Sequence, residues 1–251
     1  MIDSHCHLTD SRYDNLNEII DSFKADGLES VITIGYDSAS SMQAMKLSEI
    51  NERVYFSAGI HPSEIDHEES LDVIKELLKH KKNVALGEVG LEYHYEDSPD
   101  HNKQKEWFVN QLDLAIEAHK PVVIHSRDCD GDILPILKSY AKKLMWGCEI
   151  HCFSSSEEIA KEYVKLGFFI AFGGAITFKN ARKDNVIRAV PDELLLAETD
   201  APYLTPVPHR GELNYPKYVR HVIEKLALVR GSTFEEIERL TSLNAKKFFG
   251  I

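Results

Sequence analysis

Eight short apolar runs punctuate this chain, at residues 1–5, 30–35, 54–60, 84–87, 121–125, 147–151, 168–172 and 194–197. Most are continuous stretches of Val, Ile, Leu, Ala and Phe, the pattern of strands covered on both faces. Helical patterns fill the intervals, at 16–25, 40–50, 70–79, 104–118, 133–142, 157–166 and 180–189, and two more close the chain at 218–229 and 235–249. In one of them Trp107, Gln111, Leu114, Ala115 and Ala118 trace the 3.6-residue stripe of a helix that buries one face. Strands alternating with helices require a parallel sheet, and eight repeats fit an α/β fold of the (β/α)8 TIM-barrel type. The 251 residues suit one such barrel, so a single domain over 1–251 is expected. An open doubly wound sheet is the competing architecture, but no Gly-rich phosphate loop follows the first run. One connection stands out. Residues 201–216 follow the eighth run, contain four prolines and are long enough to form a wall or lid.

Charge and cysteine usage narrow the function. Lys and Arg number 29 against 41 Asp and Glu, a net charge of −12, which excludes a protein that coats duplex DNA or an anionic membrane by positive charge alone. A nucleic-acid substrate held locally stays open, because metal ions can supply the missing positive charge. The N-terminal residues lack a basic segment followed by an apolar run, and no stretch approaches the ~18 apolar residues of a membrane span. Cys6, Cys129, Cys148 and Cys152 form no CxxC pair and read as reduced thiols. A cytoplasmic protein is expected, with no membrane partner and, from its polar helix faces, monomeric.

The polar residues that end the runs carry the chemistry. His5 and His7 close the first run, and their i, i+2 spacing points both rings to one face. His61 follows the third run, Glu88 the fourth, His125 ends the fifth, His151 the sixth, and Asp200 lies just past the eighth. Singly, each is an ordinary loop histidine or helix-capping acid. Jointly they place imidazoles and carboxylates at the strand ends where barrel active sites are built. His5, His7, Glu88, His125, His151 and Asp200 make six candidate ligands, which suit two divalent cations about 3.5–4 Å apart better than one catalytic zinc. Glu88 is the natural bridge, and the mixed nitrogen and oxygen donors admit Zn, Mn, Co or Fe, and Mg less readily. Such a pair of ions would acidify a water, with Asp200 as general base and Glu88 as the second catalytic carboxylate. Strand alternation points the thiols of Cys6 and Cys152 away from this centre.

These residues sit in six motifs: DSHCHL at 3–8, GIHP at 59–62, GEVGLEYH at 87–94, HSRD at 125–128, HCFS at 151–154 and ETDAPYLTPVPHRG at 198–211. In that order they resemble the TatD family of metal-dependent deoxyribonucleases and related hydrolases, of the amidohydrolase-like barrel superfamily. The resemblance runs over essentially the whole chain. It implies two metals held by His5, His7, Glu88, His125, His151 and Asp200, a DNase activity of the 3′–5′ exonuclease type usually described with Mg²⁺, and a cytoplasmic location. His61 and Arg127 match polar positions near the substrate in that family. Three positions depart from the family pattern: Glu92 stands where Asp is usual, Ser155 where Gly is frequent, and 213–216 lack the RNEP sequence. The first bears on the metal shell, the other two on substrate contacts.

A DNA substrate would need phosphate contacts, for which Arg127, Lys179, Arg182 and Arg210 are placed, and stacking rings, for which Phe153, Phe178 and Tyr203 are candidates. His61, Arg127, Arg210 and Phe153 are the expected substrate-binding set. With so acidic a chain, DNA is expected to engage at a single-strand end and with a shallow salt dependence. The same centre would serve a small ester, lactone, amide or phosphodiester, because an activated water attacks carbonyl and phosphoryl groups alike. A non-catalytic binding protein is disfavoured, since an idle site need not retain buried polar groups that are costly without metal.

Overall fold

The computed structural model describes residues 1–251. Eight parallel strands follow one another around a sheet in chain order: β1 (Ile2–Cys6), β2 (Ser30–Ile34), β3 (Val54–Ala58), β4 (Asn83–Glu92), β5 (Val122–Arg127), β6 (Cys148–Ile150), β7 (Phe169–Phe172) and β8 (Leu195–Ala197). Helices α1 (Leu16–Ser22), α2 (Ser38–Ile50), α3 (Leu71–Leu77), α4 (His101–Ala118), α5 (Asp130–Tyr140), α6 (Glu157–Lys165) and α7 (Asp184–Ala189) lie between the strands, and α8 (Val219–Arg230) and α9 (Phe234–Phe249) end the chain. The sheet returns on itself just past its regular strands. Cys6 bridges Ala201, His7 N donates to Ala201 O at 2.6 Å, and Asp200 N donates to His5 O at 2.9 Å. The Asp3 carboxylate ties the same seam by accepting from Thr199 N and Oγ1 at 2.9 and 2.6 Å. The fold is a (β/α)8 barrel, as the alternation of runs and helices implies.

Register sorts the strand residues into two faces. Ile34, Ser57 and Ala85 align across β2–β4; Val123, Glu149 and Phe169 align across β5–β7, and Ala171 aligns with Leu196 on β8. With Ile32 these residues form the lumen, and Phe248 and Phe249 of α9 plug its lower end, the Phe169 and Phe248 rings lying 5.1 Å apart. The opposite faces of the strands pack on the helices in the larger core of 53 buried residues. No helix is long and apolar enough to cross a membrane.

Two elements differ from the expectation in ways that matter for the site. The fourth strand continues past Gly87 to Glu92, because a bulge between the Leu86–Val122 and Val89–Ile124 pairs sets two residues of β4, Gly87 and Glu88, against one of β5, Val123. Glu88 therefore lies within the strand, not at its end. Gly90 lets the strand continue: its φ is +151°, and a Cβ there would collide with the His125 carbonyl oxygen. The seventh helix starts at Asp184, not at 180. Arg182 takes a left-handed φ of +47°, and the Lys183 ammonium donates to the Ser154 and Ser155 carbonyls, so Asn180, Ala181 and Lys183 line the cleft.

Candidate metal centre

The bulge in β4 aims the Glu88 carboxylate into the mouth of the barrel, and histidines from the ends of four other strands, β1, β3, β5 and β6, converge on it. Its two oxygens face different partners. Oε2 lies 3.4 Å from His5 Nε2 and 3.7 Å from His7 Nε2. Oε1 lies 2.9 Å from His125 Nδ1, 2.7 Å from His151 Nε2 and 3.7 Å from His61 Nε2. Asp200 Oδ1 joins the first set, 3.4 Å from His7 Nε2 and 3.7 Å from His5 Nε2. Three overlapping groups of donors thus lie close enough to share an ion: His5, His7 and Asp200; His5, Glu88 and His151; and His61, Glu88 and His125. The nitrogens pair at 3.3 Å (His5, His7) and 3.1 Å (His125, His151). Two imidazoles bound tetrahedrally at 2.0–2.1 Å would stand about 3.4 Å apart, so these spacings are chelating ones.

The carboxylates and imidazoles hold one another charged. Burial disfavours the Glu88 carboxylate, yet the His151 charge and hydrogen bonds from His125, His151 and His5 outweigh it and hold the carboxyl well below its usual range. Asp200 is likewise lowered against burial, chiefly by His7. The reciprocal effect raises His7, His125 and His151, burial notwithstanding. Burial dominates at His61 and, with the neighbouring His125, lowers it to about 3, so its ring is neutral.

An outer layer holds the rings in place. His125 turns its other nitrogen, Nε2, to Glu92 Oε2 at 3.1 Å, and His7 Nδ1 lies 3.2 Å from the Ile34 carbonyl. Such contacts fix the ring and raise its basicity toward a metal. Glu92, the Glu-for-Asp departure, still reaches this histidine. Glu198 was not anticipated. It accepts from Cys152 N at 2.7 Å and lies 3.6 Å from His151 Nδ1. Glu149 was also missed: it is fully buried below His151, with neither carboxylate oxygen hydrogen-bonded. The signal was their position in the chain, since Glu149 and Glu198 stand two residues before His151 and Asp200.

Around the donors the mouth opens into a cleft. Arg127 and Arg210 line it, with Arg127 Nη1 donating to Tyr95 Oη at 3.2 Å and the Arg210 guanidinium 4.1 Å over the Phe178 ring. Phe153 corrects the stacking expectation. It is 5% exposed, with its ring edge-on to Tyr163 and Phe172 in the core, so it has no face to offer a base. Phe178, Tyr36, Tyr95 and Tyr203 are the aromatic residues of the cleft wall with accessible surface. Cys152 is a second correction. β6 ends at Ile150 and Cys152 takes a φ of +43°, so alternation does not reach it and it lines the cleft, although its thiol joins none of the donor groups. The connection after β8 is the expected wall: Tyr203, Leu204 and Arg210 line the cleft, and the Asn214 side chain donates to Thr199 O and Tyr203 O. Lys179 and Arg182 are exposed outside it.

Comparison with known proteins agrees with this arrangement. The family model described as TatD related DNase matches residues 2–250. The chain belongs to the TatD family. Among TatD-like relatives it is 44% identical to the uncharacterized metal-dependent hydrolase YabD of Bacillus subtilis, over all of this chain and 99% of that protein. It is 35% identical to the uncharacterized metal-dependent hydrolase YcfH of Escherichia coli, over all of this chain and 96% of the relative. Of solved structures, the TatD homologue YjjV of Escherichia coli superposes with a TM-score of 0.91 at 29% identity, covering 100% of this chain and 98% of its own. A TatD family hydrolase from Entamoeba histolytica shares the fold at 19% identity, with a TM-score of 0.87 over 99% and 97% of the two chains.

Proposed function

We propose that this metal-dependent hydrolase is a deoxyribonuclease of the 3′–5′ exonuclease type, acting at a binuclear centre held by His5, His7, Glu88, His125, His151 and Asp200. The observation that carries the reading is the division of the Glu88 carboxylate, whose two oxygens address two separate sets of nitrogen donors. Two divalent cations there would activate a water and offset charge on both sides of a phosphodiester undergoing in-line attack. Asp200, whose side chain is 14% exposed at the rim of the donors, would accept the proton of the attacking water. Arg127, at the junction of the cleft, directs its guanidinium to a non-bridging phosphate oxygen. The neutral His61 ring donates or accepts a hydrogen bond there without adding charge. His5 is fully buried and Glu88 nearly so, at the floor of the cleft.

The test uses protein stripped of metal, reloaded separately with Mg²⁺, Mn²⁺, Zn²⁺, Co²⁺ or Fe²⁺, and given a 5′-labelled single strand beside a panel of lactones, amides and simple phosphodiesters. The expected result is a ladder shortening from the 3′ end, with two metal ions per chain by elemental analysis. Turnover of an ester, lactone or amide with no DNA cleavage under any metal would overturn the nuclease reading and leave the small-molecule hydrolase in its place.

A further inference from the structure

Two cavities meet over the donor cluster, and their fixed charges differ. One, of about 430 Å³, opens toward β5–β8; Arg127, Lys183 and Arg210 line it, and Asp200 is its only carboxylate. The other, of about 520 Å³, opens toward β1–β4; Glu64, Glu88, Glu92 and Asp200 line it, and Arg127, which stands at the junction, is its only arginine or lysine. Neither Arg127 nor Arg210 is paired with a carboxylate: the first donates to Tyr95, the second rests on Phe178. The one other arginine near the acidic lobe is spent. Arg12 is clamped at 2.8 Å by both oxygens of Asp10 while its guanidinium covers Tyr203 at 4.2 Å. The acidic lobe is also the aromatic one. Tyr36 and Tyr203 flank His7 edge-on, with ring centroids 5.8 and 5.9 Å away, and Tyr95 stands on the opposite wall.

A polyanion threaded through both lobes would set phosphates against Glu64 and Glu92. One that ends in the acidic lobe would not. We infer that the lobe over β1–β4 receives a single terminal nucleoside, stacked on tyrosine and free of any phosphate beyond the one being cleaved. The lobe over β5–β8 receives the phosphate-bearing remainder of the strand through Arg127 and Arg210. This deepens the nuclease reading and rests on it: the charge asymmetry makes the enzyme end-directed and selects a hydroxyl end over a phosphorylated one. Like charges forced together across a site discriminate strongly, while aromatic stacking tolerates any base.

The experiment compares metal-loaded enzyme on single strands of one sequence that carry either a hydroxyl or a phosphate at the end from which nucleotides are released. The terminal phosphate is expected to lower kcat/KM about 10²-fold. Glu64→Gln is expected to recover roughly tenfold of that loss on the phosphorylated strand, the effect of one carboxylate removed. Arg210→Ala is expected to raise KM for an octanucleotide about tenfold more than for a dinucleotide, which has no phosphate besides the scissile one. Equal cleavage of the two ends, or a loss in Arg210→Ala that ignores chain length, overturns the inference while leaving the nuclease reading intact. Failure to cut either strand under any metal overturns the nuclease reading and this inference with it.

Discussion

The upper and lower halves of the barrel lumen are built from the same strands and obey opposite rules. Below, Ile32, Ile34, Val123, Phe169, Ala171 and Leu196 meet Phe248 and Phe249 in a largely apolar plug whose layers also take in Ser57 and Glu149. Above, Glu88, Glu92, Glu198 and Asp200 face five histidines. The lower half stabilises the fold through buried area and close packing. The upper half costs stability, because carboxylates are taken out of water and compensated only by protonated rings or by bound cations. Packing errors below should therefore reduce stability and spare the chemistry, and losses above should do the reverse.

Glu88→Ala tests the upper half most severely. It is expected to lower kcat/KM by about 10³-fold, the scale of removing a principal charge-stabilising group, with loss of metal measured by elemental analysis. Its urea midpoint without metal should stay close to that of the parent, since the burial cost of the carboxylate and its pairing with the histidine rings are lost together. A large fall in that midpoint would show that the mouth stabilises the barrel and break the contrast. Phe169→Ala is the mirror experiment. It opens a void beside Phe248 and is expected to cost about 3 kcal/mol in urea unfolding, with kcat/KM per folded molecule unchanged.

Much of this division was legible in the chain. Apolar runs marked every strand in order, because each is buried on both faces and little else in the sequence is so uniformly apolar. The polar residues that interrupt the runs at their C-terminal ends marked the mouth. Local pattern failed wherever a distant contact decided the matter. The fourth run read as ending at Gly87, but pairing with β5 carries β4 on to Glu92 by a bulge. Residues 180–183 read as helix, but the carbonyls of Ser154 and Ser155 hold Lys183 in the wall. Phe153 read as a ring for stacking a base, but it packs edge-on to Tyr163 and Phe172. The unlike charges of the two lobes were beyond reading, since Glu64, Glu92, Arg127 and Arg210 come from separate loops and strands that only the closed barrel brings together.

Glu92 lies on the boundary between the two halves' rules, buried like the plug but bonded to His125 like the mouth. Glu92→Ala is expected to weaken metal binding 10- to 100-fold by freeing the His125 ring, read by competition with a chromogenic chelator. An unchanged affinity would place this carboxylate with the fold and not with the metal centre.

The smallest effect should come from the rim of the mouth, where the pair Asp10–Arg12 is half in water. Hydrogen bonds from the Arg12 guanidinium hold the Asp10 carboxyl down to about 2, against about 3.9 in an unfolded chain. The folded state therefore binds this proton less readily than the unfolded one. The stabilisation is complete above about pH 4 and is lost as pH falls toward 2. Because Arg12 is 44% exposed, solvent screens the pair, and Asp10→Asn should cost only about 0.5 kcal/mol at pH 7. The difference between parent and variant in urea unfolding should shrink between pH 4 and pH 3 and should also shrink in 0.5 M salt. A gap that persists at pH 3, or that salt does not touch, would mean that Asp10 acts through its contact with the Tyr203 hydroxyl at 3.3 Å and belongs to the substrate wall, not to the electrostatics of the rim.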